Sequence, residues 1–158
     1  MFTIRLDLNP VPASRPRVTR WGTYYGKRHQ AFRSECAALL KQELEQRSLP
    51  VPLSGGFQVR VIFLVKKPKR TILDSPRGDI DNYIKLLVDC CNGVLWDDDR
   101  DCVVVCGFKC WHEGDGAIYL SVREMSVENS NAIRSSFEQD PEGEHPESPN
   151  VEGFSFCC

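Results

Sequence analysis

The chain has 158 residues, of which 41% are apolar and 27% charged, and its formal net charge is −2. This length predicts one domain, and the apolar share is large enough for a hydrophobic core. No apolar run approaches the length of a bilayer span, and the first residues lack the pattern of a signal peptide, which argues against a membrane-spanning or exported protein. We therefore expect a soluble protein of the cytoplasm.

The small net charge hides an uneven distribution along the chain. Residues 1–70 carry 14 basic and 4 acidic side chains, residues 71–125 carry 5 and 11, and residues 126–158 carry 1 and 7. A basic first half suggests a polyanionic partner and an acidic middle suggests a cation, with solvated charged faces as the alternative. The last segment is poor in apolar residues, so we expect a folded domain over 1–125 and a disordered acidic tail over 126–158.

The first predicted strand is followed by a long basic loop. Residues 2–8 (FTIRLDL) alternate as a strand does, and residues 9–28 combine prolines with basic and aromatic side chains. Such a loop suits DNA contact, in which cations bind phosphates and rings stack on exposed bases. The alternative is a surface loop whose rings pack on the core. The residues in question are Arg15, Arg17, Arg20, Trp21, Tyr24, Tyr25, Lys27 and Arg28.

A helix and a strand come next. Apolar residues at helical spacing predict a helix over 29–47, which Pro50 and Pro52 end. Residues 57–66 (FQVRVIFLVK) alternate strictly and predict a strand. Basic residues then lead into the acidic middle of the chain, where we expect phosphate contacts, with a solvated strand end as the alternative. These residues are Lys66, Lys67, Lys69 and Arg70.

The last predicted elements are a second helix and two strands. Residues 80–92 place apolar side chains at helical spacing, and Asn92–Gly93 supplies the stop. Residues 102–112 and 117–124 are predicted strands, and the turn EGDG between them predicts a hairpin.

The cysteines suggest a zinc site, but their spacing argues against it. Cys102, Cys106, Cys110 and His112 fall on one predicted strand, where residues four apart are about 13 Å apart. One zinc ion cannot bind sulfurs so far apart, because each Zn–S bond is about 2.3 Å long. We expect the eight cysteines to be reduced, mostly buried thiols, and His29 to lie at the surface.

Seven aspartates are crowded into residues 77–101 (RGDIDNYIKLLVDCCNGVLWDDDRD). Two carboxylates about 5 Å apart repel by roughly 3 kcal/mol at an effective dielectric near 20, so the cluster needs a positive partner. Asp79 and Asp81 open the second helix, Lys85 lies one turn after Asp81, and Asp97–Asp99 follow the end of the helix. A turn there is expected to fold the second group back beside the first, around a divalent cation with oxygen ligands.

Two other interpretations of these aspartates remain. Aspartate is an ordinary helix cap and turn residue, so Asp79 or Asp81 is equally compatible with a capping role and residues 97–101 with a polar turn. A calcium loop starting at Asp97 is disfavoured, because its sixth position is Cys102 instead of glycine and its twelfth is Phe108 instead of glutamate.

If the aspartates form a site, phosphodiester hydrolysis is the chemistry that fits. A Mg²⁺ ion held by carboxylates polarises a phosphoryl oxygen and lowers the pKa of a bound water. A nearby lysine can contact the scissile phosphate or the attacking water. The basic half of the chain would hold the nucleic-acid backbone, which makes binding dependent on salt.

Two segments of the sequence resemble one family. The segment GDIDNYIKLLVDCCNGVLWDDDRDC, at 78–102, is similar to the signature of the RusA-type Holliday junction resolvases, in which Asp-x-Asp-Asn opens a helix, a lysine follows one turn later and paired aspartates follow a short hydrophobic segment. The segment PVPASRPRVTRWGTYYGKRHQAF, at 10–32, resembles the Pro-rich, Arg-Pro-Arg-containing stretch of that family. The resemblance extends over about residues 2–125.

The resemblance implies a small α+β fold, with a mixed sheet of about four strands and two main helices, assembled as a homodimer. It implies a Mg²⁺-dependent endonuclease, with Mn²⁺ as a substitute, that makes paired nicks in four-way DNA junctions within a bacterial cell, the gene being of host or phage origin. The essential acids fall on Asp79, Asp81 and Asp99, the lysine on Lys85, and Asp98 is a further candidate metal ligand. A third consecutive aspartate, Asp97, leaves the last acid open to a shift of one residue.

Two further functions remain compatible with the sequence. One is a non-catalytic protein that binds branched DNA, in which the aspartates only cap and turn. The other is a metal-dependent nuclease for different branched DNA such as flaps. A two-fold dimer suits the junction best, because two identical sites can make the two symmetric cuts.

Overall fold

The computed structural model describes residues 1–20 and 22–126, together with positions 131 and 135. The chain divides into two units, Met1–Met125 and Ser126–Cys158, and the fold below is that of the first. The predicted acidic tail lies almost wholly outside the described residues. No helix among the described residues is long and apolar enough to cross a membrane.

The elements follow one another in a mixed order of strands and helices. Two helices and six strands are present in the described residues of Met1–Met125, with a short 3₁₀ turn at Asp99–Asp101 before the fifth strand. They are β1 (Phe2–Leu6), β2 (Arg17–Thr19), β3 (Gly22–Tyr24), α1 (Lys27–Gln46), β4 (Phe57–Lys66), α2 (Ile80–Cys91), β5 (Cys102–His112) and β6 (Ala117–Glu124).

Four of the strands form one mixed sheet in the order β1-β6-β4-β5. Strand β4 pairs in parallel with β5 and antiparallel with β6, and β6 pairs antiparallel with β1. The predicted α+β class, with a mixed sheet of four strands and two helices, is confirmed. The short β2–β3 ladder lies inside the stretch predicted to be a loop.

Strand β4 is paired on both sides and has one face that is entirely apolar. Its alternate residues, from Phe57 to Val65, are at most 6% exposed, whereas those between them are only partly buried. Helix α1 packs three buried residues, Phe32, Cys36 and Leu40, into the same core. The strict alternation that predicted a strand here therefore corresponds to one buried and one partly exposed face of β4.

The predicted hairpin of β5 and β6 is wrong. These strands lie on opposite sides of β4, because β4, α2 and β5 form a parallel crossover unit that places β5 on the far edge. The connecting turn passes over the end of β4, where two acidic residues pair with two lysines. Lys66 meets Asp115 at 2.6 Å, and Lys67 meets Glu113 at 3.1 Å.

Helix α2 lies close against β5 at a glycine. A Cβ atom added at Gly107 would be 2.6 Å from Cδ1 of Ile84 and 3.5 Å from Cγ1 of Ile80. The helix turns six residues into the core, among them Leu86 and Leu87, which are fully buried. The bare backbone at Gly107 is therefore what lets α2 approach the strand.

The cysteines of the helices and of β5 behave differently. Cys36, Cys90 and Cys91 are buried as expected, and burial raises the pKa of the Cys91 thiol. Cys106, in contrast, is exposed, and Cys102 and Cys110 are only partly buried. The prediction of buried thiols is wrong for Cys106, because β5 lies at the edge of the sheet.

Candidate active site

The first pair of aspartates lies at the start of α2. Asp79 is the N-cap residue but makes no side-chain capping hydrogen bond with a described residue, and Asp81 lies in the first turn. Both side chains are exposed, and Asn82 donates weakly to Asp81 at 3.4 Å. Acidic side chains are favoured at the N-terminus of a helix, so both positions suit aspartate without a capping hydrogen bond.

The loop that leads into α2 is held by side chains from two elements. Tyr83 of α2 donates its hydroxyl to the carbonyl of Arg77 at 2.8 Å. Lys109 of β5 donates to the carbonyl of Pro76 at 2.7 Å and to that of Gly78. The indole of Trp111 donates to the carbonyl of Leu73 at 2.8 Å. This loop is therefore anchored along its length.

The basic N-terminal loop docks against the same helix start. The backbone N–H of Ala13 donates to the carbonyl of Asn82 at 2.8 Å. Gly78 has φ +89°, and a Cβ there would be 3.1 Å from two carbon atoms of Pro12. A glycine is required at this position for its backbone conformation and for this contact. The contacts bring the candidate DNA-contact loop beside Asp79 and Asp81.

The expectation that His29 lies at the surface is wrong. Its ring is 4% exposed and stacks on Tyr25 with centroids 4.3 Å apart. Its Nδ1 atom accepts a long hydrogen bond of 3.4 Å from the backbone N–H of Ser14. Burial, with the charge of Arg33, lowers the pKa of His29 below its ordinary value. The neutral ring thus links the basic loop to α1.

The second group of aspartates follows α2 and precedes β5. Asp98 caps the 3₁₀ turn, because its Oδ1 atom accepts from the backbone N–H of Arg100 at 3.0 Å. Asp97 is exposed and Asp99 partly buried. Just before them, the fully buried indole of Trp96 donates to Asn92 at 2.7 Å. The alternative of a polar turn over residues 97–101 thus describes Asp98.

The two groups lie at opposite ends of α2. A helix of 12 residues spans about 18 Å. Lys109, which binds the loop before Asp79, is seven residues along β5 from Cys102, a distance of roughly 23 Å. Within the described residues, no three His, Cys, Asp or Glu side chains are close enough together to hold a metal ion.

The expected convergence of the two acidic groups therefore does not occur within the described part of a single chain. The side chains have the oxygen chemistry that Mg²⁺ prefers, but one chain does not bring enough of them together to fit the ion. Nor do the described cysteines and histidines form such a group.

Lys85 lies on an exposed flank of α2. Its Nζ atom is 3.8 Å from Oδ1 of Asp89, one turn further along the helix, so this ion pair points away from Asp81. A surface pair of this length contributes little to stability. Lys85 is therefore only weakly restrained by Asp89.

The basic residues singled out from the sequence are mostly solvent-accessible. Tyr24 and Tyr25 are 46% and 38% exposed, whereas Trp21 lies outside the described residues. Arg17 lies in β2, and Lys66 and Lys67 pair with the turn before β6. The exposed members of the set are Arg15, Arg20, Lys27, Arg28, Lys66, Lys67, Lys69 and Arg70.

A family model described as Endodeoxyribonuclease RusA matches residues 7–123. The chain belongs to the RusA family. The match covers most of the chain and includes both acidic groups, Lys85 and the basic loop. No curated protein matches the sequence. RusA proteins are endodeoxyribonucleases that act on Holliday junctions, and membership confirms the resemblance inferred from the Asp-x-Asp-Asn motif.

Sequence reasoning missed three side chains near the site. Lys109, Trp111 and Tyr83 hold the loop before Asp79, yet Lys109 and Trp111 lie 31 to 38 residues away from their partners in sequence. Nothing in the sequence of β5 indicated that its side chains bind this loop. Only the parallel pairing of β4 with β5, which places β5 beneath α2, brings these donors to the loop.

Proposed function

We propose that this protein resolves four-way DNA junctions as a Mg²⁺-dependent endonuclease, cutting two strands symmetrically. The observation that carries the proposal is the RusA match over residues 7–123, which includes every residue proposed for the site. The anchored loop before Asp79 and the basic loop docked beside it support the proposal, because cleavage needs fixed carboxylates next to bound phosphates. The place of action would be the cytoplasm of a bacterial cell.

The proposed roles follow the family motif residue by residue. Asp79, Asp81 and Asp99 are the essential acids, and Asp98 joins them as a candidate ligand of Mg²⁺ or, in its place, Mn²⁺. Lys85 contacts the scissile phosphate, which suits its exposed side chain and weak pairing with Asp89. The described residues of one chain do not assemble a complete ion site.

A homodimer offers a way to bring the two acidic groups together. Strand β5 is at the edge of the sheet and exposes Val103 and Val105 to 56% and 47%. An exposed apolar edge strand is prone to pairing with another chain. We infer that two copies associate through β5, so that carboxylates from both contribute to each site. The two sites would then make the two cuts in a two-fold junction.

The basic loop is proposed to hold the arms of the junction. Its exposed arginines and lysines reach solvent beside the start of α2, and Tyr24 and Tyr25 offer rings that can stack on bases exposed at the branch point. Lys69 and Arg70 extend the positive surface towards the loop before Asp79. Lys66 and Lys67 must release Asp115 and Glu113 to contribute.

A cleavage assay on a synthetic four-way junction with fixed arms tests the proposal. We expect paired nicks in strands of like polarity with Mg²⁺ or Mn²⁺ and none with EDTA. Nicks that persist in EDTA would remove the metal from the proposal. Flap and splayed-arm substrates in the same assay distinguish a junction resolvase from a nuclease for other branched DNA. Native mass spectrometry of the same preparation reports the oligomeric state.

A non-catalytic branched-DNA-binding protein is the second candidate. The separation of the two acidic groups within one chain is the observation that favours it, because isolated carboxylates serve only as caps and turn residues. Junction binding without cleavage under any divalent ion, by a protein that native mass spectrometry shows to be dimeric, would support this candidate over the nuclease.

A further inference from the structure

Three consecutive backbone carbonyls immediately before Asp79 accept hydrogen bonds from side chains. Those of Pro76 and Gly78 accept from the ammonium group of Lys109, and that of Arg77 between them accepts from the hydroxyl of Tyr83. The donors come from β5 and α2, the two elements that meet at this loop. We refer to this set of contacts as the Lys109 clamp.

The clamp is a strong local restraint. Hydrogen bonds from a charged donor are stronger than neutral ones. The Lys109 ammonium lies 5.7 Å from the centroid of the Tyr83 ring, within the range of a cation–π contact. Pro76 is buried, and Gly78 is confined by Pro12. The backbone therefore enters α2 at a fixed angle.

We propose that Lys109 is a positioning residue for cleavage, which holds the loop carbonyls so that Asp79 and Asp81 are presented in one geometry. This inference rests on the proposed function. Lys109 contacts neither aspartate in the structure and acts through the backbone on their N-terminal side.

The clamp distinguishes Lys109 from a lysine that binds DNA. An ammonium has three N–H donors, and two of those of Lys109 are directed at carbonyls. Lys109 is also only partly exposed, whereas Lys85 is exposed. In the proposed site Lys85 therefore contacts the phosphate, and Lys109 binds the backbone carbonyls.

The test compares Lys109→Met, Lys109→Arg and the matched control Lys41→Met, which removes an exposed lysine from α1. Hydrogen exchange over residues 73–82 reports on the clamp, and single-turnover cleavage reports on its use. For Lys109→Met we expect faster exchange in this segment and a cleavage rate about 10- to 100-fold lower, with junction affinity unchanged. Lys109→Arg, which keeps the charged donors, should restore much of the slow exchange and of the cleavage rate. Lys41→Met should match the wild type in both measurements.

Several outcomes would overturn the proposal. Unchanged exchange over 73–82 in Lys109→Met would show that the clamp does not hold the loop, and unchanged cleavage would show that cleavage does not need it. Weaker junction binding, with a salt dependence reduced by about one phosphate contact, would instead make Lys109 a DNA contact. Tyr83→Phe, which removes one neutral donor, gives the same readouts with a smaller expected effect if Lys109→Met does not fold.

Failure of the proposed function is separable from failure of the clamp. A wild-type protein that binds junctions but never cuts them would refute the endonuclease, and with it any role of Lys109 in cleavage. The exchange measurement would still decide whether Lys109 fixes the loop.

Discussion

Phe57 and Trp96 stack with ring centroids 4.6 Å apart, which joins the start of β4 to the segment that follows α2. Both residues are fully buried, and the indole also donates to Asn92. Asp97, Asp98 and Asp99 come directly after this stack. The position of the second acidic group therefore depends on an aromatic contact in the core.

Trp96→Ala should destabilise the protein by about 3–5 kcal/mol, because it leaves a cavity and removes the partner of Phe57. Urea unfolding followed by circular dichroism measures the change. Ile72→Ala, at a side chain that is 99% exposed, is the control and should shift stability by less than about 0.5 kcal/mol. A loss as small as the control's would contradict the role assigned to the stack.

Gly107→Ala should destabilise the fold by about 1–3 kcal/mol, because the new methyl group would clash with Ile84. The clash involves the end of the Ile84 side chain. Gly107→Ala should therefore cost less stability in an Ile84→Ala background than in the wild type. Thermal unfolding of the four proteins forms a double-mutant cycle. If the changes in the free energy of unfolding were strictly additive, the side chains at positions 107 and 84 would not be in contact.

Asp81→Asn should keep junction binding and reduce cleavage by at least about 100-fold, since the amide cannot supply the charge of the carboxylate. Binding is measured by fluorescence anisotropy and cleavage under single-turnover conditions with Mg²⁺. Asp7→Asn removes an exposed carboxylate that pairs with Arg5 and should cut at the wild-type rate. An Asp81→Asn protein as fast as this control would remove Asp81 from the site.

His29 should make the protein less stable as the solution is acidified. Burial and Arg33 lower its pKa in the folded state, so the unfolded chain takes up a proton first. The stability due to neutral His29 is present above its ordinary pKa of about 6.5 and is lost as pH falls from there through the lowered value. Thermal unfolding between pH 7.5 and 5 should show a steeper loss for the wild type than for His29→Gln; parallel curves would contradict this.

The individual elements of this fold could be predicted from the sequence more readily than their neighbours in space. The bounds of β4, β5 and β6 agree with the predicted ones because alternation identifies a strand directly. The pairing of β5 with β6 was wrong because alternation does not identify a partner, and a four-residue turn is compatible with crossing a strand as well as with a hairpin. The helix α2 between two strands was the signal for a parallel crossover.

In the candidate site, too, the residues could be predicted more readily than their arrangement in space. The Asp-x-Asp-Asn motif at 79–82 identified the family, and the helix period correctly placed Asp79 and Asp81 at the start of α2. It could not show that the length of α2 keeps them from Asp97–Asp99 in one chain. Nor could spacing reveal Lys109, since its partners are backbone carbonyls, which carry no sequence signature.

The strand order also determines when the protein can fold during synthesis. Strand β4 is made before either of its neighbours, and β1 pairs with β6, the last strand of the described residues. The sheet cannot be completed until residue 124 has left the ribosome. Until then β1 and β4 lack their β6 partner, and such exposed strands are prone to aggregate. Every ladder of the sheet is non-local, which favours slow folding. We therefore expect chaperones to bind the newly synthesised chain before it folds.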